Sequence, residues 1–134
     1  MNQQKTGVIL VGHGSREPYN KETIRYFAER LMGDYGFVGY AFMEMSDPSI
    51  PEVLDAAAKS GVEELIIQPV FMTRGVHIDV DIPSILGIPN GSRSGKIRVS
   101  GREILVKYGA PLGKDERILD ILKDRIAEAA GEEH

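Results

Sequence analysis

Imidazole is the side chain that both ligates transition metals and exchanges protons near neutral pH. This chain has three: His13, His77 and the terminal His134. It has no cysteine, so soft-metal chemistry cannot pass through a thiolate. His13 stands in the turn Gly12-His13-Gly14-Ser15-Arg16, just past the apolar run 7–11. His77 stands just past a second apolar run, 65–71, at the end of Met72-Thr73-Arg74-Gly75-Val76-His77. Two imidazoles without thiolates leave a divalent ion mostly solvated and exchangeable, whereas a closed four-ligand site holds it permanently. The pair therefore suits a site that takes a metal and passes it on, or one that moves protons. The plainer reading is that each histidine only hydrogen-bonds within its turn, and that Gly12 and Gly14 serve a tight strand-to-helix connection. Such a turn can also hold a phosphate at a helix N-terminus. It lacks the lysine and spacing of a P-loop, however, and Ser15 lacks the following glycine of a nucleophile elbow.

The elements that must carry these turns alternate. Ile24, Phe27, Ala28, Leu31 and Met32 recur at helical spacing, with Pro18 suited to the first turn. A second strand, 38–43, leads to Ser46-Asp47-Pro48-Ser49. Ser49 and Glu52 have the spacing of a capping box, followed by the apolar face Val53, Leu54, Ala57 and Ala58, with Gly61 as the stop. The third strand, 65–71, is apolar except for Gln68, as suits a strand covered on both faces. A short helical piece follows His77 as far as Leu86, with Pro83 interrupting it or starting a second turn. The segment 87–95 reads as loop, and 96–99 and 103–106 as a hairpin about Ser100-Gly101. The last helix, to Ala130, is expected to bury Ile118, Leu119, Leu122 and Ile126.

This pattern predicts an α/β domain: a mainly parallel four-stranded sheet with helices on both faces. In the doubly wound order 2-1-3-4, strands one and three are neighbours about 4.8 Å apart. Ligands bind beyond the carboxyl ends of such strands. His13 and His77 then meet at one crevice, and Asp47 follows the second strand onto the same rim.

Hydrophobic residues at 42% and charged residues at 27% describe one ordinary globular domain, 1–134. A net charge of −4 argues against a nucleic-acid partner. No apolar run reaches the ~20 residues of a membrane span, and the run after the N-terminus is too short for a signal peptide. The expected location is cytoplasmic. Charge is uneven: Arg93, Lys96, Arg98, Arg102 and Lys107 face a single acid, Glu103, within their segment. That cluster is either a solvated edge or a cationic wall for a polyanion.

Taken in order, several motifs have a familiar combination. They are Gly12-His13-Gly14-Ser15-Arg16-Glu17-Pro18-Tyr19, Phe42-Met43-Glu44, Pro48-Ser49-Ile50-Pro51, Pro69-Val70-Phe71, Gly75-Val76-His77, Asp81-Ile82-Pro83-Ser84-Ile85-Leu86-Gly87 and Pro111-Leu112-Gly113. Together they resemble the small archaeal sirohydrochlorin chelatases, the short CbiX-type or CfbA-type class II enzymes, over nearly the whole chain. The resemblance implies a chelatase-like (flavodoxin-like) three-layer domain, equivalent to half of a two-domain class II chelatase and expected to form a homodimer. It implies insertion of cobalt or nickel into sirohydrochlorin, toward cobalamin or coenzyme F430. No cofactor is permanently bound on this reading; Co2+ or Ni2+ is the substrate metal. His13 would be the base and a metal ligand, and His77 the second metal ligand. Asp47, Met72, Thr73, Arg74, Gly75 and Val76 would match the family's substrate-binding positions. Relatives of this type often carry histidine where this chain has Arg74. Eight carboxylates on sirohydrochlorin give the basic residues a use. Two readings compete: a nickel or cobalt carrier without catalysis, and a phosphatase using His13 as nucleophile.

Overall fold

A computed structural model describes residues 3–131; His134 lies outside the described residues. Five strands form one sheet: β1 (Thr6–Gly12), β2 (Phe37–Phe42), β3 (Glu64–Pro69), β4 (Ser94–Val99) and β5 (Arg102–Tyr108). Their order is β2-β1-β3-β5-β4. All neighbours are parallel except β4, which runs antiparallel along the outer edge of β5. The four-stranded expectation is thus corrected by one strand. The fourth parallel strand is the second arm of the hairpin, and its first arm becomes an antiparallel edge. The turn between them has two residues with positive φ, Ser100 at 51° and Gly101 at 78°. Such a turn matches the twist of tightly paired strands and lets both arms join the sheet.

Helices α1 (Tyr19–Leu31), α2 (Ile50–Lys59), α3 (Ile82–Leu86) and α4 (Glu116–Ala129) connect and follow the strands. Ser49 and Glu52 close the expected capping box on α2, whose Val53, Leu54, Ala57 and Ala58 are all buried. On that side they meet Ile9, Val11, Leu65, Ile67, Ile104 and Val106 in the main core. On the other face α1 supplies Ile24 and Ala28 against Val8, Leu10 and Phe42 in a smaller cluster. None of the helices is long and apolar enough to cross a membrane among the described residues.

Two elements depart from expectation. The piece after His77 is a widened π-helical turn, His77–Asp81, closed by Ile82 N–H donating to His77 O. Pro83 explains the widening: a proline cannot donate, and its ring would collide with the carbonyl four residues back in a regular helix. The second departure is α4, which buries none of its residues. Leu119, Leu122 and Ile126 are 42%, 52% and 68% exposed, and Ile121 is 51% exposed. Periodicity located an amphipathic stripe correctly, but the stripe is not buried against the rest of the chain. The sheet face beside α1 in turn keeps an open apolar groove lined by Leu10, Phe27, Leu31, Val70 and Leu112.

Candidate metal centre

β1 and β3 are adjacent and in register, Val11 opposite Pro69, so both deliver their following loops to one rim. The turn after β1 is pinned by several bonds. Gly14 N–H donates to Asn20 Oδ1, Met43 N–H to Gly12 O, and Glu44 N–H to His13 O. Ser46 Oγ accepts from Ser15 N–H and donates to Ser15 O. Gly14 has φ +94°, and a Cβ there would lie 1.7 Å from Glu44 O. Only glycine lets the loops after β1 and β2 approach this closely. Backbone bonds, not the imidazole, therefore hold His13 in place.

His13 Nε2 and His77 Nε2 stand 3.2 Å apart, with the rings edge to face at a centroid distance of 4.8 Å. The other ring nitrogens are occupied. His13 Nδ1 is 3.1 Å from Gly14 O, and His77 Nδ1 is 2.9 Å from Asp81 Oδ2. A carbonyl and a carboxylate only accept, so each Nδ1 carries its hydrogen and each Nε2 presents a lone pair. Two lone pairs that face one another at this distance call for a proton or a cation between them. Phe71 flanks both rings at 6.3 Å. Both imidazoles stay accessible, 47% and 43% exposed.

Glu44 was not singled out by sequence, yet its Oε1 lies 3.6 Å from His13 Nε2. It shares the cleft of about 350 Å³ that Met43, His77, Asp81, Ser84 and Ile85 line. The signal was its place just past the end of β2, which neighbours β1. Asp47, three residues on, is exposed and does not line this cleft. Met72, Thr73, Arg74, Gly75 and Val76 form an exposed run leading to His77. Arg74 is turned to a neighbouring, smaller cavity with Asp79, Arg93 and Tyr108, and its Nη2 is 3.0 Å from Asp79 Oδ1. Tyr108 ties β5 to the histidine turn, its hydroxyl donating to Ile78 O at 2.9 Å. Burial first, and the Asp79 charge second, push that phenol up to about 12.

The basic segment divides. Arg93 lies at the rim, bonded to Tyr108 O. Arg98 and Arg102 lie at the opposite end of the sheet. Arg98 bonds Gly101 O, and Arg102 bonds Ala58 O and Gly61 O at the end of α2. A single cationic wall from 93 to 107 is therefore corrected to a rim arginine and a distant structural group. Gln68, the one polar residue expected inside β3, donates to Pro69 O and Ala110 O and fastens the loop after β5.

Known proteins resemble this chain in sequence and fold. The family model described as CbiX matches residues 7–129. A protein named sirohydrochlorin cobaltochelatase from Methanothermobacter thermautotrophicus is 43% identical, covering 93% of both chains. Another of that name from Methanopyrus kandleri is 39% identical over 94% of this chain and 98% of its own. Among solved structures, the sirohydrochlorin chelatase SirB of Bacillus subtilis, determined with cobalt, superposes with a TM-score of 0.72 at 22% identity. It shares the fold over 92% of this chain, which spans 50% of SirB. Matched by the family model over residues 7–129 and by relatives along almost its whole length, the chain belongs to the CbiX family.

Proposed function

We propose that this protein inserts a divalent metal, cobalt or nickel, into sirohydrochlorin, and that the metal is a substrate with no permanently bound cofactor beside it. The observation that carries the reading is the 3.2 Å approach of the two Nε2 atoms with both Nδ1 atoms already engaged. Two nitrogens at this separation subtend an angle of roughly 100° at an ion about 2.0–2.1 Å from each. That angle lies between octahedral and tetrahedral values, so His13 and His77 can share one ion and leave its other positions to solvent or pyrrole nitrogens.

The reaction exchanges one M2+ for two protons on the macrocycle's inner nitrogens. His13 accepts a proton as the ion moves off it, and Glu44 Oε1, 3.6 Å from the same nitrogen, is placed to take that proton on. Ile85 lines the cleft beside His77, and the segments that carry the two histidines and Glu44 add the exposed apolar side chains Tyr19, Met45, Met72 and Val76. They suit the flat face of a tetrapyrrole. Asp47, Met72, Thr73, Arg74, Gly75 and Val76 line its approach in this reading. The ion pair of Arg74 with Asp79 is mostly solvated and weak, so the guanidinium can turn to a substrate carboxylate.

A cleft of about 350 Å³ sits at the low end of ligand pockets, roughly 300–1,000 Å³. One copy does not enclose the macrocycle. The unburied stripe of α4 and the open groove beside α1 are both apolar, and a homodimer that laid α4 of one copy in the groove of the other would bury both. The domain then corresponds to half of a two-domain chelatase, acting in the cytoplasm.

The test is anaerobic spectroscopy of sirohydrochlorin with Co2+ or Ni2+, with and without the protein. Accelerated metal entry that is lost in His13→Ala supports the reading. Tight metal binding without acceleration makes the protein a carrier, and release of phosphate from an aryl phosphate makes it a phosphatase; either result overturns it.

A further inference from the structure

The rings of His13 and His77 are backed differently. Behind His13 stands a neutral carbonyl, Gly14 O, at 3.1 Å. Behind His77 stands a full negative charge, Asp81 Oδ2, at 2.9 Å. Asp81 is the residue before α3, where an aspartate commonly caps exposed N–H groups. Here its side chain makes no capping bond. Asp79, the other acid of this turn, is drawn away by the Arg74 guanidinium at 3.0 and 3.2 Å. The widened turn 77–81 places ring and carboxylate one above the other, and both line the cleft. A carboxylate behind a ligating imidazole fixes its tautomer and orientation and raises its basicity toward the metal.

We propose that Asp81 is a positioning residue for metal capture. It locks His77 in the Nδ1–H tautomer, with the Nε2 lone pair turned to the cleft, and thereby makes His77 the primary metal ligand. His13, backed only by a carbonyl and standing beside Glu44, is left free to release the ion and take up the macrocycle's protons. Asp81 neither touches the substrate nor moves a proton in this scheme. The inference rests on the chelatase reading for its place in catalysis, but its effect on the ring is independent of that reading.

The experiment uses the full chain and its Asp81→Ala and Asp81→Asn variants. Long-range proton–nitrogen NMR reads the His77 tautomer, and Co2+ and metal-free sirohydrochlorin are titrated separately. Wild type is expected to show Nδ1–H at His77. In Asp81→Ala the ring should shift toward Nε2–H, and Co2+ affinity should fall by about 10–100-fold, with macrocycle affinity unchanged because Asp81 acts through the His77 ring. Asp81→Asn, whose amide oxygen still accepts, should keep the tautomer and lose only part of the affinity. An unchanged tautomer in the alanine variant overturns the proposal, as does unchanged Co2+ affinity. If Asp81→Ala does not fold, equal Co2+ affinity in Asp81→Asn and wild type overturns it. If tautomer and affinity shift as expected but wild type fails to accelerate metal entry, the chelatase reading falls and the role of Asp81 toward the metal stands.

Discussion

His13 receives its position from Gly12, Gly14, Asn20 and Ser46 and supplies little packing in return. His13→Ala should therefore fold as wild type by circular dichroism while chelation falls by the ~10²–10⁴-fold typical of a lost base. A variant that keeps more than about a third of the rate removes His13 from the chemistry. His77→Ala should separate the two substrates. Metal affinity should drop further than macrocycle affinity, because the ring faces the ion while the run 72–76 remains to meet the tetrapyrrole. Equal losses in the two titrations would make His77 a residue that merely shapes its turn. Both histidines were legible in sequence because a residue just past a buried strand has only the rim to occupy. Glu44 and Asp81 were not. Glu44 reaches His13 through the lateral pairing of β1 with β2. Asp81, four residues after His77, meets it across one turn of the helical piece that follows, a spacing the sequence held but to which no role was given.

Among the elements, α2 shows the closest agreement between sequence and structure, and its cap offers a pH test. The Ser49 hydroxyl and backbone bonds hold the Glu52 carboxyl below its ordinary range. A carboxylate depressed in the folded state stabilises above its unfolded value of about 4.3, and that contribution is lost as pH falls through the folded value. Wild type should lose thermal stability on acidification from about pH 5, and Glu52→Gln should show a shallower loss in the same range by thermal melts. Identical slopes would remove the cap from acid stability. Ser49→Ala should cost about 1 kcal/mol at neutral pH. The hairpin was legible from Ser100-Gly101, but β4 begins at Ser94, inside a stretch whose glycine and serine read as loop. Pairing with an already placed β5 overrides that local preference, as tertiary context commonly does for strands. Pro83, which the sequence allowed either to interrupt the helical piece or to start a second turn, stands in the first turn of α3; composition alone did not say that the turn before it would widen.

For the whole molecule, charge and apolar surface are distributed in ways that sequence order conceals. Arg74 and Arg93 meet at the rim although they come from different loops, while Arg98 and Arg102, close to Arg93 in sequence, sit at the far end of the sheet. Replacing Arg74 and Arg93 by serine should raise KM for the octacarboxylate and flatten its salt dependence, since exposed charges act over about 8 Å at physiological ionic strength. The Arg98→Ser, Arg102→Ser pair should leave both unchanged in steady-state assays across a salt series. Equal effects of the two pairs would mean that only net charge matters.

Apolar surface makes the corresponding case for assembly. Ile118, Leu119, Leu122 and Ile126 follow helical spacing on α4, where none of them is buried, and Leu112, in the loop before α4, lines the open groove beside α1. Full burial of a leucine or isoleucine contributes roughly 1.5–3 kcal/mol, and a helix with such a stripe is stable chiefly when the stripe is covered. In the proposed homodimer the occupant is a second copy, which carries an apolar helix and an apolar groove at once, and twofold symmetry lets both exchanges occur together. Light scattering should give wild type a mass twice the chain's 14.8 kDa. Leu122→Asp with Ile126→Asp should shift it to the single-chain mass and lower the rate of metal insertion, because each remaining cleft has lost its opposing wall. The same double variant should keep its Co2+ affinity, since His13, His77 and Asp81 all come from one copy. A wild-type monomer with full activity would return α4 to the role of an unpaired surface helix.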